Sequence, residues 1–160
     1  MICTLLCYSA CSQDNDKPVL LLNPTVYTGG GEVYENAALA FEGEAITLLA
    51  DARLIRIDMS AYDVVEAYGL HVYPARLVEA LPENPLQPLF YLPLPASGAY
   101  LLSSPEPAHK LPQIPVLREG AKATFVVTHE KIEDSSSEIR YIVVKGRLKR
   151  ESHQTLRRLP

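Results

Sequence analysis

The sequence predicts an all-β fold built from short strands in a sandwich or barrel, and three features lead there. Apolar runs of strand length alternate with turn signals at a spacing of ~8–12 residues. No stretch holds a 3.6-residue apolar period over the length of a helix. Between residues 75 and 117, 43 residues carry nine prolines, and this divides two strand-rich regions.

In chain order, PVLLLNPTVYT is an apolar run broken by Asn23 and Pro24. The triple glycine Gly29–Gly31 then supplies the backbone freedom of a reversal. VYENAALAFEG ends at a Glu42-Gly43-Glu44 turn, and AITLLADARLIRIDMS is expected to set Ile46 and Leu48 on one side of a pleat. AYDVVEAYGLHVYP offers Val64, Val65 and Tyr68 before Gly69, then resumes at His71 to Pro74, with a short helix also open within Ala61–Ala67.

From Ala75 to Leu117 the prolines are Pro82, Pro85, Pro88, Pro93, Pro95, Pro105, Pro107, Pro112 and Pro115. Each removes an N–H donor, so the segment is expected to be an irregular, extended connection without central strands. Its stretch LFYLPLPASGAYLL is too apolar to stand in water and must pack on the rest of the domain. The spacing of LPENPLQPL also suits a polyproline II ligand. Strands return in LREGAKATFVVTHE, with Phe125 and Val127 on one face and Val126 on the other. In SSSEIRYIVVKGRLKRE, Tyr141 and Val143 oppose Ile142 and Val144, and Lys145-Gly146 is a hairpin turn.

At 160 residues with 48% apolar and 21% charged side chains, the chain has the length and composition of one globular domain. A formal charge of −4 argues against a nucleic-acid partner, since phosphate binding is built on clustered Lys and Arg. The single basic cluster, KGRLKRESHQTLRR, reads as a solvated terminal strand and tail.

All three cysteines, Cys3, Cys7 and Cys11, lie in the first eleven residues. An apolar run ends in Ser9 and Ala10 before Cys11, and polar residues follow at once. This resembles a bacterial lipoprotein signal, which implies lipidation at Cys11, an acidic spacer after it, and anchorage in the bacterial envelope. Residues 1–17 are assigned to this signal and spacer.

The four histidines, His71, His109, His129 and His153, show no i, i+2 or i, i+4 pairing of the kind that builds a metal site. Ser135 to Ser137, His129 and Asp134 lie in a polar loop without the Gly-x-Ser-x-Gly elbow of a serine hydrolase, and the loop reads as solvated. Glu32, Glu35, Glu42 and Glu44 fall at hairpin turns and give no acid/base pair. No catalytic, cofactor-binding or metal-binding residue is assigned.

Two stretches nevertheless carry a family resemblance. Lys17 to Pro74 has an Asn-x-Thr-Val strand, a Thr-Gly turn, Glu-Asn before a small-residue strand, and a closing GLHVYP. Leu117 to Arg158 has a Gly-Lys-like GAKAT strand followed by IVVKGR. In this order the two resemble the opening and closing segments of metal-dependent amidohydrolases of the imidazolonepropionase-like group, and they cover about 100 of the 160 residues. The resemblance implies one composite β-sandwich assembled from the N-terminal segment 18–74 and the C-terminal segment 118–150, with 75–117 in place of the catalytic barrel. Such a barrel needs ~250 residues, far more than are available.

The family's Zn²⁺ or similar divalent metal is held first by a His-x-His pair after a Pro-Gly turn. Here Ala75 takes the glycine position, and Ala80 and Pro82 take the histidine positions. The family often has Asp in the closing strand where this chain has Thr124. No cofactor is therefore expected for this chain.

Two readings follow. One is a non-catalytic, lipid-anchored sandwich module with a structural or binding role toward an unknown protein or small-molecule partner, touching the membrane only through its anchor and compatible with a homo-oligomer. The other is part or remnant of a metal-dependent amidohydrolase acting on cyclic or non-peptide amides, which would need a barrel from another chain.

Overall fold

The computed structural model describes residues 17–85, 88–105, 114–133, 137–150 and 154–160. The fold is all-β, as the strand spacing predicts. Its first layer is a four-stranded sheet in the order β5-β4-β1-β6, from β1 (Val19–Leu22), β4 (Ala37–Glu42), β5 (Ala45–Asp51) and β6 (Asp63–Glu66). The remaining strands are β2 (Thr25–Tyr27), β3 (Val33–Tyr34), β7 (His71–Val78), β8 (Phe90–Leu94), β9 (Ala99–Ser103), β10 (Phe125–Thr128), β11 (Ser137–Val144), β12 (Arg147–Arg150) and β13 (Thr155–Arg158). Among these, β7, β10, β11, β13, β8 and β9 pair in a ring and close a six-stranded barrel.

Three strands, β7, β10 and β11, serve two cores at once. Their apolar runs have no polar face because both faces are covered. Val72, Phe125, Val127 and Val143 point into a sandwich core with Leu21, Leu39, Phe41 and Ile46 of the first sheet. Their neighbours Tyr73, Val126 and Ile142 point the other way, into the barrel, and meet Phe90, Leu92, Leu101, Ile139 and Leu156. The expected alternation of Phe125 and Val127 against Val126 is thus the division between the two cores. The regions around the N- and C-terminal strands do share one core, with residues 19–72 on one side and 117–148 on the other.

Residues 75–117 depart from the expected irregular connection, because they hold the second half of β7 and all of β8 and β9. The reason lies in where each proline sits. Pro93 opposes Tyr100 of β9. On its other side the pairing of β8 with β13 reaches only Phe90 and Tyr91, so no ladder partner there needs the N–H that Pro93 lacks. Pro74 does the same in β7. It opposes Phe125 of β10, while on its other side β2 stops at Val72 and β9 begins at Ala75. The handover is sealed by the Ser103 hydroxyl, which donates to the Pro74 carbonyl at 2.9 Å. The apolar surface of β8 and β9 is also accounted for. Phe90, Leu92 and Leu101 face the barrel interior, while Leu89 and Leu102 are covered from outside by Ile114 and Leu159.

The carboxy-terminal basic segment likewise does more than trail in solvent, since β13 inserts between β11 and β8 with Leu156 fully buried. Two local expectations are also corrected. Ile46 and Leu48 lie on opposite faces, Ile46 in the sandwich core and Leu48 among the residues under the 52–62 loop. A β-bulge between Ala40 and Phe41 pairs these with Leu48 and Ile46 and leaves Thr47 unmatched, so the pleat loses its phase there. Within Ala61–Ala67 there is no helix, only a 3-10 turn at Met59–Ala61 that leads into β6, whose residues pair in parallel with β1.

The tightest point of the fold joins two hairpin turns. Lys145 and Gly146 connect β11 to β12 with φ of 49° and 76°, the left-handed pair of a two-residue hairpin loop. The Gly146 amide donates to the Ala123 carbonyl at 2.8 Å, and the turn packs on the backbone of Gly43, in the β4–β5 turn.

Candidate functional site

The residues considered from sequence do not converge. His71 begins β7, and His129 is exposed just after β10. Ser137 is buried at the start of β11. Cys11, His109, His153, Asp134, Ser135 and Ser136 lie outside the described residues, as do Cys3 and Cys7. Glu32, Glu35, Glu42 and Glu44 are exposed at their turns. Ala75 is buried in the barrel wall, and Ala80 and Pro82 follow the end of β7. Neither Ala80 nor Pro82 has a side-chain donor atom, so these positions do not fit the metal that the amidohydrolase resemblance implies. Among the described residues no group of three or more His, Cys, Asp or Glu could hold a metal ion. Among them also, no helix is long and apolar enough to cross a membrane.

Two places do gather polar chemistry. The first is a cluster against the barrel core. Tyr27 stacks on Tyr73 with ring centroids 4.6 Å apart and planes 2° apart, and its hydroxyl is 3.2 Å from Nδ1 of His71. The Tyr73 hydroxyl is buried and accepts the Ile132 amide at 2.9 Å, which ties the β10–β11 loop to β7. Burial pushes the Tyr73 phenol well above its ordinary range, so it stays protonated and serves as a structural hydrogen-bonding group. The Lys131 ammonium stands 6.0 Å from the Tyr27 ring centroid.

His71 is held below its ordinary imidazole value, first by burial and then by the nearby Lys131 charge. The unfolded chain therefore takes up a proton before the folded one as pH falls through ~6.5, and His71 contributes stability above that pH that is lost on further acidification. A proton NMR titration of the full chain should place the His71 midpoint below that of a free imidazole. Lys131→Met should move it upward without restoring it fully, because burial remains. A midpoint indifferent to Lys131 would remove the charge from the account.

The second place is a groove of about 490 Å³ where barrel and sandwich meet, lined by Ala75, Arg76, Leu77, Pro115, Lys122, Thr124 and Lys145. Backbone bonds fix its walls. The Ala75 amide donates to the Thr124 carbonyl at 3.1 Å, the Lys145 amide to Thr124 Oγ1 at 3.1 Å, and the Ala123 amide to the Glu44 carbonyl at 2.8 Å. Among the described residues, three cations and no carboxylate line this groove. A neighbouring hollow of about 560 Å³ shares Lys145 but balances it, with Lys17 and Arg147 against Glu42, Glu44 and Asp63.

Sequence reasoning missed this groove. Arg76, Lys122 and Lys145 belong to three separate segments, and only the pairing of β7 with β10 and of β10 with β11 brings those segments together. The nearest signal was Lys145, visible as a turn residue but not as a lining group. Compared with family models, curated proteins and solved structures, the chain matches none.

Proposed function

We propose that the chain is a non-catalytic, amidohydrolase-type β-sandwich module, lipid-anchored through Cys11 in the bacterial envelope, with a binding or structural role. The observation that carries this reading is the shared core. The segments that resemble the two ends of an amidohydrolase pack together through Leu21, Phe41, Val72, Phe125 and Val143. At the point where a catalytic barrel would leave and return, β8 and β9 instead close over the opposite face of the shared strands. That arrangement supports a module that stands without its enzyme, although a fold by itself does not dictate a function.

The experiment is elemental analysis of the purified full chain after exchange with Zn²⁺, followed by a panel of cyclic amides and N-acyl dipeptides. The expected result is no stoichiometric metal and no turnover. Bound metal with turnover would overturn the reading. A co-purifying chain that supplies a metal-loaded barrel would replace it with that of a split enzyme, in which a metal-activated water does the hydrolysis.

A further inference from the structure

We propose that the outer face of the first sheet, roofed by the 52–62 loop, rests on a phospholipid bilayer and sets Leu54 and Met59 among the headgroups. The proposal deepens the reading of the chain as a module lipid-anchored at Cys11, and rests on it. Exposed apolar surface is the first argument. Among the described residues the large apolar side chains left in water are Val33, Leu54, Met59, Val64 and Tyr68, and all but Val33 fall between residues 54 and 68. A lone exposed leucine is ordinary, but a concentration of this kind marks a surface that meets something apolar. The local chain shows why these side chains point outward. Ile55, Ile57 and Tyr62 pack down on Leu20, Ala38 and Ala40 of the sheet. Leu54 and Arg56 alternate with those isoleucines and are exposed, Leu54 by 81%. Val64 stands opposite Leu20 in the parallel pairing of β6 with β1, so it shares that outer face at the edge of the sheet.

The tether is the second argument, and it selects the occupant. Cys11 precedes Lys17 by six residues, which span at most ~22 Å even at full extension. A lipid on Cys11 therefore keeps Lys17 within that distance of the headgroups. Lys17 is itself fixed to the loop, because its ammonium donates to the Ser60 carbonyl at 3.2 Å, and the Asp63 amide donates to the Pro18 carbonyl at 2.9 Å. The tether thus enters beside Met59, at one corner of the apolar face, whereas the barrel lies on the far side of the sandwich. The end of the sheet is also within reach, but the hollow there carries Glu42, Glu44 and Asp63 with Lys17, Lys145 and Arg147 and offers charge in place of apolar surface. Within the loop the acids are already engaged. Arg53 bridges Asp51 at 2.6 Å, and the Asp58 carboxylate accepts the Ser60 amide at 3.0 Å and the Ser60 hydroxyl at 2.6 Å. The exposed Arg56 adds a cation for the lipid phosphates, while Leu54 and Met59 supply the apolar contact.

The chain contains no tryptophan, so single fluorescent reporters can be placed without background. The full chain is expressed in a Gram-negative host, purified in detergent and reconstituted into vesicles of phosphatidylethanolamine and phosphatidylglycerol, with and without brominated acyl chains. The mass of its N-terminal peptide reports whether Cys11 carries lipid. Leu54→Trp and Met59→Trp should emit at shorter wavelength and lose several-fold more intensity to brominated lipid than two controls. One control is Glu44→Trp at the end of the sheet, and the other is Lys149→Trp on β12, which pairs with the barrel-facing Ile142 and so points away from the first sheet. All four positions are exposed, and a circular dichroism spectrum matching that of the parent confirms that each variant is folded. A lipidated chain in which Leu54→Trp and Met59→Trp are quenched no more than Lys149→Trp would overturn the bilayer contact and leave the anchor standing. Quenching confined to Glu44→Trp would also overturn it, since the molecule would then stand on the end of the sheet. Emission from Leu54→Trp that is shifted yet untouched by brominated lipid would seat a second copy of the chain on this face instead. A chain without lipid on Cys11 would overturn the anchor, and with it the tether that selects the bilayer.

Discussion

Gly146→Ala should destabilise the fold by about 2–5 kcal/mol, the sum of ~1–2 kcal/mol for a left-handed backbone and ~1–3 kcal/mol for overpacking. An added Cβ would lie 1.5 Å from the Gly43 carbonyl oxygen and 2.6 Å from its carbon, at a φ of +76°. Backbone cannot step aside as a side chain can, so the β4–β5 and β11–β12 turns must separate. Gly43→Ala is the internal control. Its φ is +56° but nothing lies within 4 Å of the new carbon, so only the conformational part of about 1–2 kcal/mol applies. In a chain of this size the difference should appear as a melting temperature lower by roughly 2–12 °C for the Gly146 variant than for the Gly43 variant. Equal melting temperatures would mean that the two turns do not brace each other.

Removal of Leu86 to Leu102 should have the larger effect and cost the molecule its solubility. The deletion takes all of β8 and all but Ser103 of β9, which opens the ring between β7 and β13. It removes Phe90, Leu92 and Leu101 and uncovers Tyr73, Val126, Ile142 and Leu156. At ~1.5–3 kcal/mol for each large side chain buried, the three lost residues alone approach the ~5–15 kcal/mol total stability of an ordinary domain. The bare strand edges would then invite pairing between molecules. Aggregation on size-exclusion chromatography, or strong binding of a hydrophobic dye, is the expected result. A monomeric deletion variant that binds no dye would show that the sandwich core stands without the barrel and that the shared face tolerates water.

Much of this architecture was legible locally. The Lys145-Gly146 turn follows from residues suited to a left-handed pair, and the two-faced strand around Val126 from an apolar run too long for one buried face. The barrel was not legible, because a proline forbids a strand only where an acceptor waits for its missing N–H. Pro74 and Pro93 sit where pairing with one neighbouring strand has stopped, and which ladder stops where is a property of the assembled sheet. The same holds for Leu48, whose face depends on one unmatched residue across from β4. For the groove the reason is distance along the chain. No linear pattern connects Arg76 with Lys122 and Lys145, and their common surface exists only once β10 lies between β7 and β11.

The change of neighbours at Pro74 has a mechanical consequence. Because β7 continues without interruption from the sandwich into the barrel, its eight residues act as a common axle rather than a linker. Sandwich and barrel are thus joined through a strand that is hydrogen-bonded on both sides of the junction, and a strain applied to one body is passed to the other along that strand.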